Sequence, residues 1–344
     1  MQAVRIDAHG DPSVLRLVDL PRPEPAAGEV LVRMIAVSVN HLDLFVRAGM
    51  PGVKLPLPLI PGCDGTGEIV QLGDGVTHLR PGTKVLVEPG YSSGASAHDL
   101  AGDDHLSDDY RIRGEHSDGL DREYVALPAR FALPLPAGVD PVRVAAVPLV
   151  FLTAWGMLVT RAGVRAGETV LVLGGASGVG SAAIQIARER GARVFATAGS
   201  DAKRRLAREL GADEVVDHGA PDWGQTVRKL SGGRGVDVVV EHVGPATWET
   251  SMRVLARNGR LVTCGGTTGP KVEVALPHLF MKNQSVLGST MGPRSAFPAI
   301  LERVASGAYR PVVDRVLPLS RIAEAHELLE SRRVLGKIVL TPGS

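Results

Sequence analysis

Two stretches of this 344-residue chain carry side chains whose types and spacing suit chemistry. The first is Gly174-Gly175-Ala176-Ser177-Gly178-Val179-Gly180, which follows the apolar run Val170 to Leu173 and leads directly into helical periodicity. Small residues at a strand-to-helix turn let the backbone approach a pyrophosphate, whose charge is met by free amides and the positive end of the helix. A glycine-rich connection that only packs helix on sheet is the plainer reading, but it leaves unexplained why so many small residues gather at one junction. Ser177, Gly178 and Val179 are the predicted phosphate-facing positions. The second stretch is Asn40-His41-Leu42-Asp43, at the end of a long alternating run. It offers an amide, an imidazole and a carboxylate for holding a substrate oxygen or relaying a proton, although Asn and Asp also commonly serve only turn backbone.

The end of the second strand after the glycine-rich turn decides which dinucleotide is taken. A site for NAD usually places a carboxylate there, on the adenosine ribose. This chain reads Ala198-Gly199-Ser200-Asp201-Ala202-Lys203-Arg204-Arg205, with no acid at the strand's last position and three cations following. A 2′-phosphate would be met by the Gly199 and Ser200 amides and by Lys203, with Arg204 in reserve and Asp201 capping the next helix. One charge-assisted hydrogen bond, worth roughly 1.5–3 kcal/mol, would favour NADP about tenfold to a hundredfold. The alternative is that these cations form a solvated helix face.

Two architectures must position these groups. Glu29 to Asn40 alternates apolar and polar residues, the mark of a half-buried strand, and Thr66 to Leu72 and Lys84 to Glu88 are further short strands between Gly and Pro turns. This half predicts a mostly antiparallel, barrel-like domain. From Thr169 onward, buried runs alternate with amphipathic stretches: Val170 to Leu173, Arg193 to Thr197, Val215-Val216, Val236 to Glu241, Arg260 to Cys264 and Ser285 to Leu287, with helices between them. Strict alternation implies right-handed crossovers and a doubly wound parallel sheet. The tail adds helices near Phe297 to Ser306 and Ser320 to Ser331 and a last strand, Lys337 to Thr341. The expected division is residues 1–150 with 291–344 as a discontinuous first domain and 151–290 as the second. Lys plus Arg total 38 against 37 Asp plus Glu, so no bulk field draws nucleic acid or anionic membrane, and no apolar run is long enough for a membrane span. Cys63 and Cys264 give no disulfide framework, which fits a reducing cytoplasm.

With these residues in hand, the chain resembles the medium-chain dehydrogenase/reductase superfamily along essentially its whole length. The resemblance is carried by Pro61-Gly62-Cys63-Asp64-Gly65-Thr66-Gly67, Gly73-Asp74-Gly75-Val76, Pro81-Gly82-Thr83-Lys84-Val85, Leu152-Thr153-Ala154-Trp155 and Gly336-Lys337-Ile338-Val339-Leu340. It implies a GroES-like β-barrel domain joined to a Rossmann domain. Zinc alcohol dehydrogenases of this superfamily hold a catalytic metal at positions that here are Asn40, Cys63-Asp64 and Leu149, a poor set for tetrahedral zinc. A rearranged site on His41, Cys63 and Asp64 is the chemical alternative. The four cysteines of the family's structural zinc lobe are here Ser93, Ser96, Asp99 and Ser107, between intact flanks Pro89-Gly90 and Gly114-Glu115-His116. Serines cannot supply the charge and softness of four thiolates, so no zinc is expected and the lobe is expected to be mobile.

Asn40-His41-Leu42-Asp43 resembles the zinc-independent quinone oxidoreductase branch. By that resemblance Asn40 hydrogen-bonds the substrate oxygen or cofactor ribose, Asp43 holds the loop, and His41 faces the pyrophosphate or relays a proton. Thr153 packs on the nicotinamide, Gly265 and Ser289 offer backbone contacts to it, His218 flanks the adenosine phosphate, and Lys337 meets the pyrophosphate. Cys264 is read as an inert buried thiol. Related reductases often carry a tyrosine proton donor where this chain has Met50 and Pro51 after Gly49, leaving Tyr91 and Tyr110 as candidates. The reading is an NADPH-dependent, zinc-independent reductase of a small electrophile, a quinone or an α,β-unsaturated carbonyl, acting as a cytoplasmic homodimer. The alternatives are an alcohol or aldehyde dehydrogenase with an atypical metal site, and a nucleotide-binding protein without turnover.

Overall fold

A computed structural model describes residues 1–50 and 52–343, so Pro51 of the missing-tyrosine comparison lies outside the described residues. The chain divides into two units, Met1–Leu149 with Pro293–Ser344, and Val150–Gly292.

The first unit is built on the long strand Glu29–Ser38, whose alternate residues Val30, Val32 and Met34 enter the core while Arg33 points out to Glu68. Glu29–Ser38 pairs antiparallel with Asp64–Leu72, Tyr124–Pro128 and Lys337–Thr341. Lys84–Val87 and Ala132–Pro134 extend the sheet beyond Asp64–Leu72, and Val313–Pro318 adds a parallel edge on Lys337–Thr341. The result is the GroES-like, mostly antiparallel fold, with that one parallel pair. Two register shifts bend Glu29–Ser38 against its neighbour, as closing a barrel requires. A Cβ on Gly67 would fall 2.5 Å from the Arg33 carbonyl oxygen, so the two strands approach more closely there than any side chain allows. The alternating pattern runs to Asn40, but the strand stops at Ser38 and Asn40 becomes the N-cap of the helix His41–Ala48. The reason is local: the Asp43 carboxylate accepts the Asn40 amide at 2.7 Å, satisfying a donor that a continued strand would have used on its neighbour.

The second unit is a parallel sheet in the order Glu214–Val216, Arg193–Thr197, Thr169–Val172, Val236–Glu241, Leu255–Thr263, Ser285–Gly288. That is the doubly wound Rossmann order, with the crevice for a dinucleotide at the carboxyl ends of the central strands. Leu171, Val172, Val239 and Val240 are fully buried on both faces, which explains why these strands read as continuous apolar runs. The fifth strand begins at Leu255, five residues before the expected Arg260, because Leu255 pairs with Val236 ahead of a register shift. Helix Asp201–Glu209 is capped by Ser200, whose side chain accepts the Lys203 amide, and not by Asp201. Asp201 is the first helical residue and its carboxylate pairs with Arg204.

Candidate active site

In the Rossmann unit, helix Gly178–Glu189 starts at the carboxyl end of Thr169–Val172. Ser177 caps it, accepting the Gly180 amide at 3.0 Å. The amides of Gly178 and Val179 have no hydrogen-bond partner among the described residues, so they stand open at the positive helix end. Gly174 has φ 57°, and a Cβ on Gly180 would fall 2.2 Å from the Gly174 carbonyl oxygen. The turn is closed on itself so tightly that only glycine fits, which leaves its outer surface bare for a pyrophosphate. These residues fit a nicotinamide dinucleotide.

Two side chains that sequence reasoning missed brace this turn. His242 hydrogen-bonds through Nε2 to the Leu173 carbonyl at 2.8 Å, and burial lowers its pKa so that the ring stays neutral. Glu241 is wholly buried and accepts from the Val243 and Gly244 amides and from the hydroxyls of Thr247 and Ser251. A charged residue closing the apolar strand VDVVVE was the available signal: a buried carboxylate must have donors waiting. Thr153 is buried with its hydroxyl 3.8 Å from Met291 Sδ. Ser289 donates its amide to the Thr263 carbonyl at 2.8 Å, and Gly265 has open space where its Cβ would stand.

Beyond the carboxyl end of Arg193–Thr197, Gly199 and Ser200 are exposed and Lys203 is half-buried. His218 Nδ1 lies 3.1 Å from the Thr197 hydroxyl, which fixes the ring beside Gly199. Arg204 is engaged, with Nη1 on Asp217 at 2.8 Å and Nη2 on Asp201 at 2.6 Å. The reserve cation is therefore held between two carboxylates.

In the barrel unit, the chemistry-bearing stretch gathers around a buried lysine. Lys337 Nζ donates to the Asn40 side-chain oxygen and to Asp64 Oδ2, the latter at 3.1 Å. Asn40 Nδ2 donates to the same Asp64 oxygen at 2.9 Å and reaches Cys63 Sγ at 3.4 Å. The second Asp64 oxygen accepts the Leu149 amide at 2.8 Å. Asp64 is fully buried and Lys337 and Asn40 are each 4% exposed, so the three form one dry network. Asp43 and Asp121 lie close enough to it for charge interaction. Burial pushes the Asp43 carboxyl up to about 7 against the lowering pull of the Asn40 amide and Lys337. Burial, and then the charges of Asp43 and Asp64, push Asp121 higher than the carboxylate range. His41 opens the helix and is half-buried. Asp121, unflagged in the sequence, presses on Gly62, where a Cβ would fall 2.3 Å from its carboxylate.

The donor set does not fit a catalytic zinc. The Asn40 oxygen faces an ammonium, burial and neighbouring carboxylates keep Cys63 a thiol, Asp64 is ion-paired, and Leu149 offers no side-chain donor. Among the described residues no three His, Cys, Asp or Glu side chains gather as a metal would need. In the lobe, the four positions of the structural zinc ligands are tied by hydrogen bonds. Asp99 accepts from the hydroxyls of Ser92 and Ser96, and the Ser107 hydroxyl lies within hydrogen-bond distance of Ser96, Asp99 and Asp109. Ser93 joins through its amide, which donates to Asp109 at 2.9 Å.

This combination defines a nicotinamide-dependent oxidoreductase scaffold. The chain matches the alcohol dehydrogenase GroES-like domain family over residues 26–137 and the zinc-binding dehydrogenase family over residues 178–306. It is 32% identical to a quinone oxidoreductase of Pseudomonas aeruginosa, over 98% of this chain and 99% of that one. It is also 32% identical to an alcohol dehydrogenase of Geobacillus stearothermophilus, over 95% of each. A solved structure described as an NAD-dependent alcohol dehydrogenase superposes with a TM-score of 0.96 at 47% identity, covering both chains completely. The chain belongs to the medium-chain dehydrogenase/reductase superfamily.

Proposed function

We propose that this protein is an NADPH-dependent, zinc-independent reductase of quinones or α,β-unsaturated carbonyls. The observation that carries the reading is the Lys337 ammonium seated on Asn40 and Asp64 at the positions where a zinc enzyme of the family binds metal. Without a Lewis acid, bringing a simple alcohol to alkoxide near neutral pH is difficult, whereas an activated acceptor needs only orientation and hydrogen-bond donors. A reduced nicotinamide, when bound, supplies the hydride. The amides of Gly178 and Val179, with Ser177, hold its pyrophosphate, and Thr153, Gly265 and Ser289 face its ring. Lys203, with the Gly199 and Ser200 amides and His218, takes the adenosine end. In the barrel unit Asn40 is held rigid by Lys337 and Asp64, Asp43 fixes its loop, and His41 stands at the helix start.

A second reading, an NAD-dependent alcohol dehydrogenase, is favoured by two observations. Arg204 is neutralised by Asp201 and Asp217, whose charges disfavour a 2′-phosphate, and the 47%-identical structure carries that description. The deciding experiment assays chelator-treated protein with NADPH and with NADH against a panel of quinones and enones, and repeats the assay with alcohols after adding zinc. The proposal expects turnover of the electrophiles without metal and a preference for NADPH of about tenfold or more. No reduction of any acceptor, with alcohol oxidation appearing on zinc addition, overturns it. We also read the protein as cytoplasmic and homodimeric. The dimer is supported by the edge strand Ser285–Gly288, which is open beyond Leu255–Thr263, and by exposed Leu276, Phe280 and Met281 on the helix before it.

A further inference from the structure

Both tyrosines of the lobe region are candidates for the donor that the chain lacks after Gly49, and their hydroxyls have different surroundings. Tyr91 donates to the Ser117 hydroxyl at 2.9 Å, and its ring carries the Arg113 guanidinium at 4.8 Å. It is committed to holding the lobe. Tyr110 has its backbone amide on the Ser107 carbonyl, but its hydroxyl has no hydrogen-bond partner among the described residues. Tyr110 is half-buried and its hydroxyl is not among the polar atoms sealed from solvent without a partner, so it stays open to a ligand.

The ring is also seated with precision. A Cβ on Gly90 would fall 1.8 Å from the Tyr110 hydroxyl oxygen, so the phenol occupies a notch that exists only because residue 90 has no side chain. Nearby acids do not claim it. Glu88 takes Arg294 through both oxygens at 2.9 Å, and Asp104 accepts the Arg294 amide at 2.9 Å. The charges near enough to act on the phenol are those of Asp104 and then Glu88, and Cys63, whose Sγ is 3.4 Å from Asn40 Nδ2, is a further neighbour. Burial and these negative neighbours hold the Tyr110 pKa above the ordinary phenol value, so the group stays protonated at any working pH. A phenol so placed is a poor acid and a good permanent donor.

We propose that the Tyr110 hydroxyl is the hydrogen-bond donor to the carbonyl oxygen of the acceptor, seated by Gly90 and left unpaired by the protein for that contact. This rests on the reading of the protein as a carbonyl-electrophile reductase. The hydrogen bond is kept through the reaction, and the proton that completes the product comes from water.

The test compares Tyr110→Phe with Tyr91→Phe as the lobe control. With 2-cyclohexenone and 1,4-benzoquinone as acceptors, kcat/KM of Tyr110→Phe falls about a hundredfold to a thousandfold, as when one donor to a developing oxyanion is lost. Tyr91→Phe keeps wild-type turnover. A second measurement needs no turnover: in the presence of oxidised cofactor, cyclohexanone binds Tyr110→Phe about three- to tenfold more weakly than wild type. Cyclohexene, which has no oxygen, binds the two equally, a distinction that a merely structural role for Tyr110 would not produce. Wild-type kcat/KM and wild-type cyclohexanone affinity in Tyr110→Phe overturn the assignment. If wild type reduces neither acceptor, the reductase reading fails, and cyclohexanone binding alone then decides Tyr110.

Discussion

Lys337 is the residue on which the barrel unit's chemistry turns. An ammonium that is 4% exposed and a carboxylate that is fully buried are stable only together, because removing either leaves an uncompensated charge in a dry interior. Lys337→Met is therefore expected to lower unfolding free energy by about 3–5 kcal/mol. The double variant Lys337→Met with Asp64→Asn recovers part of that loss. Urea titration measures both, and equal destabilisation in the single and double variants would sink the account. The motif Gly336-Lys337-Ile338-Val339-Leu340 marks the lysine in the sequence, and the apolar alternation around it places it on a strand. What the sequence does not reveal is its partner. Lys337 and Asp64 are 273 residues apart and meet only because Lys337–Thr341 and Asp64–Leu72 both pair with Glu29–Ser38. Asn40 was legible as a candidate, but the commitment of its amide to Lys337 and Asp64 was not.

At the scale of elements, the two halves differ in how far sequence reasoning reaches. The central Rossmann strands read almost directly, because burial on both faces makes Thr169–Val172 and Val236–Glu241 nearly unbroken apolar runs and the glycine-rich turn marks the first crossover. The barrel strands are shorter and bent by bulges, so their ends shift, as Glu29–Ser38 does. The lobe is the instructive case. Its four serine and aspartate positions predict lost metal and a loose segment, yet Asp99 draws three hydroxyls together and fastens the same loop. Those hydrogen bonds, Ser92 first and then Ser96, hold the Asp99 carboxyl down to about 2 from the ordinary 3.8. A depressed folded pKa means that the stabilisation is complete above the unfolded value and is lost as pH falls through the folded one. Amide exchange between Ser92 and Asp109 should accelerate between pH about 4 and about 2, after correction for intrinsic rates, and Asp99→Asn should show faster exchange already at neutral pH. Unchanged protection in Asp99→Asn would mean that the serine–aspartate ties do not hold the lobe.

At the scale of the whole molecule, the open edge of the six-stranded Rossmann sheet is the feature that a monomer leaves unexplained. Leu276, Phe280 and Met281 are 64%, 66% and 67% exposed, and an apolar cluster beside an unpaired strand is a standing invitation to another chain. Light scattering after gel filtration should give a dimer for wild type and a monomer for Phe280→Asp combined with Met281→Asp. A wild-type monomer at tens of micromolar would remove the dimer from the proposal. No helix among the described residues is long and apolar enough to cross a membrane.

The replacement of four lobe thiolates by serine and aspartate has a further consequence once the acceptor's nature is considered. Quinones and enones are soft Michael acceptors that alkylate thiolates, and a zinc-binding lobe would offer four of them to every substrate molecule passing by. This chain offers none: burial and adjacent carboxylates keep Cys63 protonated, and burial pushes the Cys264 thiol up to about 12. Under the proposed reading as a reductase of such electrophiles, the missing lobe thiolates leave the acceptor fewer sulfurs to alkylate.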